Sequence, residues 1–502
     1  MSSVATEPVT NVGRKRKSPS TEDGLEDGLE ATNEEPFSSS ETCPYLDTIQ
    51  RSTLDFDFEP ACSVSMQSGP HIYGCLVCGK FFRGRGSQTP AYTHSVQDGH
   101  FVFVHLTTSK FYCLPDNYEI QDSSLQDIRN ALHPSFTKEQ VDRVDQNQQL
   151  ARDLFGRRYL PGFVGLNNLN KTDGINAVVQ ALAHVPPLRD YFLQQTTSTT
   201  TTTTTIANST DTVLDVSSST TKTTSSTASH VVSAHRMSQH VTQCFGELVR
   251  KLWSDQRFKN HIDPHKLVQA VAVASHNRFR IGNQMEAGEF MAWFLHQLHM
   301  GLGGSLKRPG SSIIHKIFQG TISVTTRQVK QIKMDRDEDD HDQDDRQGSD
   351  DEEDKNEIAK SAATETPQQV LEETVDESHF LQLTLDISEK PVFRDDDGGL
   401  VIPQEPLVTV LKKFDGISFS DIVNKAGVAQ RRRYQIRNLP PYLILHLARF
   451  QTNRFLKVKN PTIVAFPVKN LDLSDYVFSS DGNRAKKERV PTEEEVRAMS
   501  VS

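Results

Sequence analysis

The sequence predicts an α+β protein in which a small metal-stabilised domain precedes a larger domain of mixed structure. Five of the six cysteines fall between Cys43 and Cys113, among aromatic residues and short β-type runs. Amphipathic helical patterns then dominate the middle of the chain, and alternating or continuous apolar runs typical of strands follow residue 380. Helices first and strands later favour an α+β arrangement with a separate helical lobe.

Composition indicates that part of the chain does not fold. Hydrophobic residues make up 35% of the 502 residues, which is less than an ordinary globular protein contains. The formal charge is −10, but residues 335–357 alone hold 14 acidic and 3 basic side chains. The acidity is therefore local, and the charge balance does not indicate a nucleic-acid-binding chain overall.

The first 40 residues are predicted to be a disordered head, because they carry almost no apolar periodicity. They lack the apolar segment of a signal peptide, and no run in the chain is long enough to cross a membrane, so we expect no membrane association. The basic cluster from Arg14 to Lys17, followed by Ser18-Pro19, is typical of a nuclear import signal. A solvated charge run is the alternative interpretation.

Residues 41–135 are assigned to the metal-stabilised domain. Cysteines in a chain without a secretion signal indicate a reducing compartment, where clustered thiols bind metal and do not form disulfides. Residues 136–160 begin with the capping-box spacing of Thr137 and Gln140 and continue in helix-forming residues. They are predicted to form a linker helix.

The larger domain is predicted to span residues 161–478, followed by a polar tail at 479–502. A Thr/Ser tract at about 196–229 and the acidic insert at about 331–365 interrupt it, and both are predicted to be disordered. Within this domain, apolar spacing predicts three helices and two strands. The helices are Gln243 to Trp253, a stretch with its N-cap and first-turn proline at Asp263-Pro264, and Gly288 to Met300; the strands are Leu381 to Ile387, half-buried, and Tyr442 to Leu447, central.

Two cysteines and two histidines have the spacing of a metal site. Cys75 and Cys78 form a C-x2-C pair, and His94 and His100 follow at a distance that allows a closed tetrahedral shell. Zinc is the expected ion, in a structural role. Three other cysteines are predicted to exchange with the histidines, to form a second incomplete shell or to pack as small buried hydrophobes: Cys43, Cys62 and Cys113.

The same segment resembles a UBP-type zinc finger, through Cys43-Pro44-Tyr45, Cys78-Gly79-Lys80-Phe81-Phe82 and Tyr112 to Asp116. That family binds the free Gly-Gly tail of ubiquitin. Its tail-binding members carry arginine where this chain has Lys80, and a lysine cannot offer a carboxylate the planar bidentate fork of arginine. The family's H-A-x-x-H run also differs at Pro90 to His94, so both departures count against ubiquitin binding.

Residues Gly165 to Gln180 resemble the cysteine box of ubiquitin-specific proteases, and the resemblance implies their papain-like fold. Asp173 stands at the position of the nucleophile, and a carboxylate is a far weaker attacker of an amide than a thiolate. Asn168 occupies the position of the oxyanion donor. Two further boxes of the family are similar to Gln284–Phe290 and Leu443–Phe450.

No histidine follows His446, which is itself predicted to be a packed strand residue, so the family's histidine box is not found. The resemblance therefore implies a protease-like fold that is shortened at its C-terminus. We expect a catalytically inactive protein with no catalytic residues and no bound organic cofactor. We also expect that Asp173→Cys would restore no hydrolysis.

Four more segments are similar to the snRNP assembly-defective family, the spliceosomal homologues of ubiquitin-specific peptidases: Cys43 to Ile49, Phe111 to Ile120, Val185 to Arg189 and Leu439 to Ile444. The resemblance implies a nuclear, non-proteolytic factor in pre-mRNA splicing that supports assembly or stability of the tri-snRNP. Its implied partners are tri-snRNP proteins, with an indirect association with snRNA. The alternatives are a ubiquitin-binding reader and a residual deubiquitinase.

Overall fold

A computed structural model of the chain describes residues 43–195, 225–331, 369–388, 393–394, 400–423, 429–452 and 457–478. The predicted head, the basic cluster, the polar tail and nearly all of the two inserts lie outside these residues. Within the described residues, no helix is both long enough and apolar enough to cross a bilayer.

The cysteine-rich module, residues 43–135, is an antiparallel sheet of five strands in the spatial order β2-β1-β3-β4-β5. Its elements are β1 (Ile72–Cys75), β2 (Phe81–Arg83), α1 (Pro90–Asp98), β3 (Val102–His105), β4 (Phe111–Cys113), β5 (Tyr118–Ile120) and α2 (Gln126–Leu132). Apolar residues from both sheet and helix fill its core, among them Val104, Phe111 and Ile128.

The prediction of a single linker helix over 136–160 is wrong beyond Gln146. The capping box is confirmed, since Thr137 and Gln140 exchange side-chain to backbone hydrogen bonds. The elements of this segment are α3 (Lys138–Arg143), one 3-10 turn (Val144–Gln146), β6 (Ala151–Arg152) and β7 (Arg158–Tyr159). Asn147, which follows the 3-10 turn, has an extended backbone, and further along Gly156, at φ +77°, closes a turn that pairs β6 with β7 as a hairpin.

In the described parts of the helical lobe, residues 161–195 and 225–318, six helices pack around one apolar core. Its elements are β8 (Gly165–Leu166), α4 (Asp173–Ala183), α5 (Pro186–Gln194), α6 (Ser225–Trp253), β9 (His261–Ile262), α7 (His265–Ala274), α8 (Ala287–Gly301) and α9 (Ile313–Phe318). Helix α6 packs against α5, α7 and α8. The three predicted helices are present, although Pro264 takes the N-cap of α7 where Asp263 was expected.

The described residues of the strand lobe, between 320 and 478, form a four-stranded antiparallel sheet in the order β11-β10-β17-β16 and four two-stranded pairs. Its elements are β10 (Gly320–Gln331), β11 (Gln369–Phe380), β12 (Leu383–Asp386), β13 (Phe393–Arg394), β14 (Leu400–Val401), β15 (Gln404–Pro406), α10 (Leu407–Leu411), β16 (Asp415–Val423), β17 (Ala429–Asn438), β18 (Leu445–Ala448), β19 (Phe450–Thr452), β20 (Lys457–Lys459) and β21 (Ile463–Ala465). The predicted half-buried strand is present as β12.

The apolar run at 442–447 does not form the central strand that was predicted. Strand β18 pairs in parallel with β12, and among the described strands β12 is its one partner. Its side chains are only partly buried. The run is apolar on both faces because Ile444 packs against the core of the helical lobe, whereas Leu443 and Leu445 pack against that of the strand lobe.

Candidate functional site

The cysteine-rich module brings the four predicted metal ligands together. Cys75 is the last residue of β1, and Cys78 lies in the turn that leads to β2. Gly79 follows at φ +75°, and a Cβ there would overlap the backbone carbonyl of Thr53, so only glycine fits this turn.

Both histidines lie in the connection between β2 and β3. His94 lies on α1, and His100 follows the left-handed glycine that ends this helix, Gly99. The Nε2 of His94 lies 3.4 Å from the sulfur of Cys78 and 3.1 Å from the Nδ1 of His100.

The geometry of this cluster fits zinc. One ligand atom from each of Cys75, Cys78, His94 and His100 lies within 4.8 Å of all the others. Tetrahedral zinc with two sulfur and two nitrogen ligands separates its ligand atoms by about 3.3–3.8 Å, close to the two separations given above. Two thiolates and two imidazoles would complete a four-coordinate shell, as a structural site requires.

The surroundings of the cluster favour binding of a cation. Burial raises the pKa of Cys75 to about 12, so its thiolate needs a positive charge close by. Burial also lowers the pKa of His94, against the opposing charge of Asp98, and a neutral ring can serve as a ligand. Asp98 accepts a hydrogen bond from the Nδ1 of His94 at 2.5 Å, which leaves Nε2 facing the cluster.

The contact of Asp98 with His94 was not predicted from the sequence. The available signal was the i,i+4 spacing of His94 and Asp98 on a short helix.

The other cysteines lie apart from the cluster. Cys43, Cys62 and Cys113 are buried in the apolar core of the module, which among the three alternatives favours packing. Cys43 and Cys113 contact each other and the hydroxyl of Tyr118, and burial raises the pKa of Cys113 to about 11. Cys244 is buried on α6, where burial raises its pKa to about 12.

The second candidate site is the N-terminus of α4, where Asp173 is the first helical residue and is exposed. The preceding turn is held by Thr172, whose backbone N–H and hydroxyl both donate to the Oδ1 of Asn168, at 3.0 and 3.2 Å. The hydroxyl of Thr172 also accepts from the N–H of Leu169 at 2.9 Å. This turn fixes Asp173 where the positive end of the helix dipole stabilises a carboxylate.

The loop before α8 contacts this carboxylate, which stays exposed. The Nε2 of Gln284 lies 3.3 Å from each oxygen of Asp173. The loop is held close because Gly174 has no side chain, and a Cβ there would lie 3.2 Å from the Cγ of Met285. Gln284 is an amide and cannot act as a base, so the contact orients Asp173 without activating any nucleophile.

His446 links the two lobes. Its Nε2 lies 3.1 Å from the Oε1 of Glu286, and its Nδ1 lies 3.5 Å from the hydroxyl of Thr384. The ring packs against Gly288, where any added Cβ would overlap the imidazole. His446 is thus a partly buried strand residue engaged by a carboxylate of the helical lobe.

A third cluster joins the cysteine-rich module to the helical lobe, and it was not predicted. The ammonium group of Lys251 donates to the backbone carbonyl of Phe56 and to the Oδ1 of Asp57, both at 2.8 Å. The Oδ2 of Asp57 accepts from the N–H of Asp263 at 3.1 Å. Lys259 pairs with Asp55 at 2.6 Å beside it.

The charge state of Asp57 follows from these contacts. Burial alone would raise the pKa of this carboxyl, but the charge and hydrogen bond of Lys251 and the N–H of Asp263 outweigh burial, and the pKa is lowered. The side chains of Asp57 and Lys251 are 13% and 11% exposed. Asp57 is therefore ionised at neutral pH in a largely desolvated junction.

Comparison with known proteins gives two family matches and similar relatives. The model of the family "Ubiquitin carboxyl-terminal hydrolase" matches residues 164–490, and that of "Zn-finger in ubiquitin-hydrolases and other protein" matches residues 62–125. Human ubiquitin carboxyl-terminal hydrolase 39 is 41% identical over 439 residues, which cover 87% of this chain and 68% of that protein. The probable mRNA-splicing protein ubp10 of Schizosaccharomyces pombe is 36% identical over 87% of this chain and 73% of its own length.

A solved structure is also similar in fold. The crystal structure of an essential yeast splicing factor matches with a TM-score of 0.54 and 23% identity, covering 84% of this chain and 82% of that one. Together with the family matches, it confirms the predicted order of a UBP-type zinc finger followed by a ubiquitin-specific-protease-like domain. Zinc is likewise confirmed as the cofactor of the cysteine-rich module. The assignment of the four individual ligands stays a prediction.

Proposed function

This chain belongs to the ubiquitin carboxyl-terminal hydrolase family, and from that premise we propose that it acts in pre-mRNA splicing as a non-catalytic scaffold. The observation that carries the proposal is Asp173, a carboxylate at the family's nucleophile position whose partner is an amide. The splicing role is supported by two relatives whose names describe splicing proteins, one in fission yeast and one in budding yeast.

The proposed inactivity follows from the chemistry of isopeptide cleavage. That reaction needs an attacking thiolate, a base to take its proton and a donor for the oxyanion, all in contact. Asp173 has no thiol proton to lose and attacks a carbonyl poorly, and Gln284 beside it cannot accept a proton. Asn168 remains at the donor position, but it serves the turn before α4 through its oxygen.

We assign the scaffold to the nucleus and to protein subunits of the tri-snRNP, where it would support assembly or stability. In this proposal Cys75, Cys78, His94 and His100 hold zinc, which contributes folding energy to the cysteine-rich module and takes no part in chemistry. The limits 41–135 and 161–478 for the two domains belong to the same proposal.

The experiment is affinity purification of the tagged chain from nuclear extract, followed by a census of co-purifying snRNAs. We expect enrichment of the snRNAs of the tri-snRNP over other spliceosomal snRNAs. Asp173→Ala is the matched variant and should purify the same RNAs in the same amounts, because no chemistry at this position is required. Absence of enrichment, or its loss in Asp173→Ala, would contradict the proposal.

The two alternatives are separated by different measurements. A residual deubiquitinase would release ubiquitin from a C-terminal amide, and Asp173→Ala would abolish that activity. A ubiquitin reader would bind ubiquitin through the cysteine-rich module and lose it when the Gly-Gly tail is removed. Lys80 counts against the reader, since its point charge does not reproduce the fork of arginine.

A further inference from the structure

The hairpin of β6 and β7 carries two apolar side chains at its tip. Leu154 and Phe155 are 43% and 63% exposed. They are the two central residues of a turn that is closed by a hydrogen bond from the N–H of Gly156 to the carbonyl of Asp153, at 3.0 Å. Turn centres ordinarily hold Gly, Pro, Asn, Asp or Ser, so an adjacent Leu-Phe pair is unusual there.

The backbone of this tip is held rigidly. The side chain of Asp153 is fully buried, and its Oδ1 accepts from the N–H of Phe155 at 3.0 Å and from the N–H of Arg157 at 2.8 Å. Its Oδ2 accepts from the Nε of Arg157 at 2.7 Å. The N–H of Leu154 donates to the carbonyl of Phe258 at 3.4 Å, which ties the tip to the helical lobe.

This rigidity separates the tip from an ordinary exposed hydrophobic residue. Isolated apolar side chains on a surface are common and carry no meaning by themselves. A side chain presented on a fixed backbone loses little conformational entropy when it binds, and this is how preorganised anchors gain affinity. Here the buried carboxylate of Asp153 fixes the turn, and the exposed Phe155 is the preorganised anchor.

The charge around the tip is positive. Arg152, Arg157 and Arg158 are exposed, and the one acidic residue of the hairpin, Asp153, is buried beneath the turn. The guanidinium of Arg157 lies 5.2 Å from the ring centre of Phe155, and the Nη1 of Arg152 donates to the carbonyl of Gly156 at 3.2 Å. Aromatic residues and arginine are the types that dominate the centres of protein interfaces.

We infer that this tip is a docking knob for a protein: Phe155 and Leu154 enter an apolar pocket whose rim is acidic and pairs with the three arginines. Leu154 has no aromatic face, so the pair suits an apolar pocket better than a stack of nucleic-acid bases. The inference rests on the proposed function, since it places the pocket on a protein subunit of the splicing particle. The matched acidic rim follows from charge complementarity.

The test measures binding of the full-length chain to purified tri-snRNP. Phe155→Ser should weaken binding about thirtyfold, as expected for the loss of a central aromatic anchor. Val273→Ser is the matched control, because Val273 is 60% exposed on α7, and it should change binding less than about threefold. Arg158→Glu should weaken binding and reduce its dependence on salt.

The outcomes separate this inference from the proposed function. If the wild-type chain binds and Phe155→Ser binds equally well, the knob is wrong while the proposed function stands. If the wild-type chain fails to bind, both the proposed function and the docking knob are contradicted. If the wild-type chain binds the protein-free snRNA as tightly as the particle and Phe155→Ser weakens both equally, the tip contacts RNA and the protein pocket is overturned.

A second variant tests the role of the rigid turn. Asp153→Ala keeps Phe155 but removes the two hydrogen bonds that fix the backbone of the turn and the one that holds the side chain of Arg157. We expect an intermediate loss of binding, between about threefold and tenfold. Because Asp153 is buried and paired, the thermal unfolding midpoint should fall as well, and binding is therefore measured well below the midpoint of the variant. Unchanged binding by Asp153→Ala would show that preorganisation of the tip does not contribute.

Discussion

Replacing Asp57 by alanine should release the cysteine-rich module from the helical lobe. In this variant the side chain of Lys251, which is 11% exposed, loses one of its two acceptors. It keeps the other, the carbonyl of Phe56. Removing one partner of a buried ion pair costs about 3–5 kcal/mol. Because Lys251 retains that carbonyl, we expect the lower end, about 3 kcal/mol in the free energy of unfolding.

The chain provides separate probes for the two sides of the junction. Both tryptophans, Trp253 and Trp293, lie in the helical lobe, so tryptophan fluorescence during urea unfolding reports on that lobe. Zinc release, measured with a coloured chelator, reports on the cysteine-rich module. In the wild-type chain the two transitions should coincide, and in Asp57→Ala zinc should be released at a lower urea concentration than the change in fluorescence.

Two controls accompany this variant. Asp421→Ala breaks the ion pair with Arg431, whose side chains are 71% and 67% exposed, and should cost less than about 1 kcal/mol. Combining Asp57→Ala with Lys251→Met removes the unpaired charge and should recover part of the lost stability.

The pH dependence of Asp57→Ala has a definite sign. Because the pKa of Asp57 is lowered on folding, its contribution is present above the unfolded value of 3.8 and is lost as the pH falls through the lower folded value. The difference between wild-type chain and variant should therefore stay constant from neutral pH to about 5 and shrink below 3.8. A cost below about 1 kcal/mol, with coincident transitions, would show that the pair of Asp57 and Lys251 does not hold the junction together.

Three further predictions concern other parts of the chain. Gly288→Ala should destabilise the chain by about 1–3 kcal/mol in urea unfolding, because the new Cβ overlaps the ring of His446. Burial lowers the pKa of His315 to about 4, so stability should fall as the pH drops from 6.5 towards 4, which thermal unfolding across this range would detect. Cys75→Ser should reduce zinc content, measured by elemental analysis, from one equivalent to almost none, whereas Cys62→Ser should retain it.

Matched variants make these outcomes decisive. Gly86→Ala places its Cβ in open space and should leave stability almost unchanged. His315→Gln removes one of the histidines whose pKa is lowered and should reduce the fall in stability between pH 6.5 and 4. A stable Gly288→Ala chain, an unaltered pH profile in His315→Gln or full zinc in Cys75→Ser would each contradict the corresponding argument.

Local chemistry made much of this protein predictable from its sequence. The spacing of Cys75, Cys78, His94 and His100 sufficed to bring four ligand atoms together, because a turn and one short helix separate them. The apolar period of α6 to α8 likewise predicted the helical lobe. These features depend on residues that are close in the chain.

Features that depend on distant or competing interactions were missed. Lys251 and Asp57 are 194 residues apart, and no local pattern indicates that they meet. Leu150 and Leu154 have partly helical spacing, yet the carboxylate of Asp153 bonds the backbone of the turn and forms a hairpin instead. Strand β18 was wrongly predicted to be central. Its side chains pack against two separate cores, so the run is apolar throughout, as that of a central strand is.

We expect this protease-like fold to perform no cleavage at Asp173. The most direct measurement is the rate at which fluorophore is released from a C-terminal ubiquitin amide by the wild-type chain and by Asp173→Cys, beside an active ubiquitin-specific protease. We predict no release above buffer by either form, because the group that contacts this position is the amide of Gln284 and not a base. Steady hydrolysis by the wild-type chain, or its appearance in Asp173→Cys, would contradict the account.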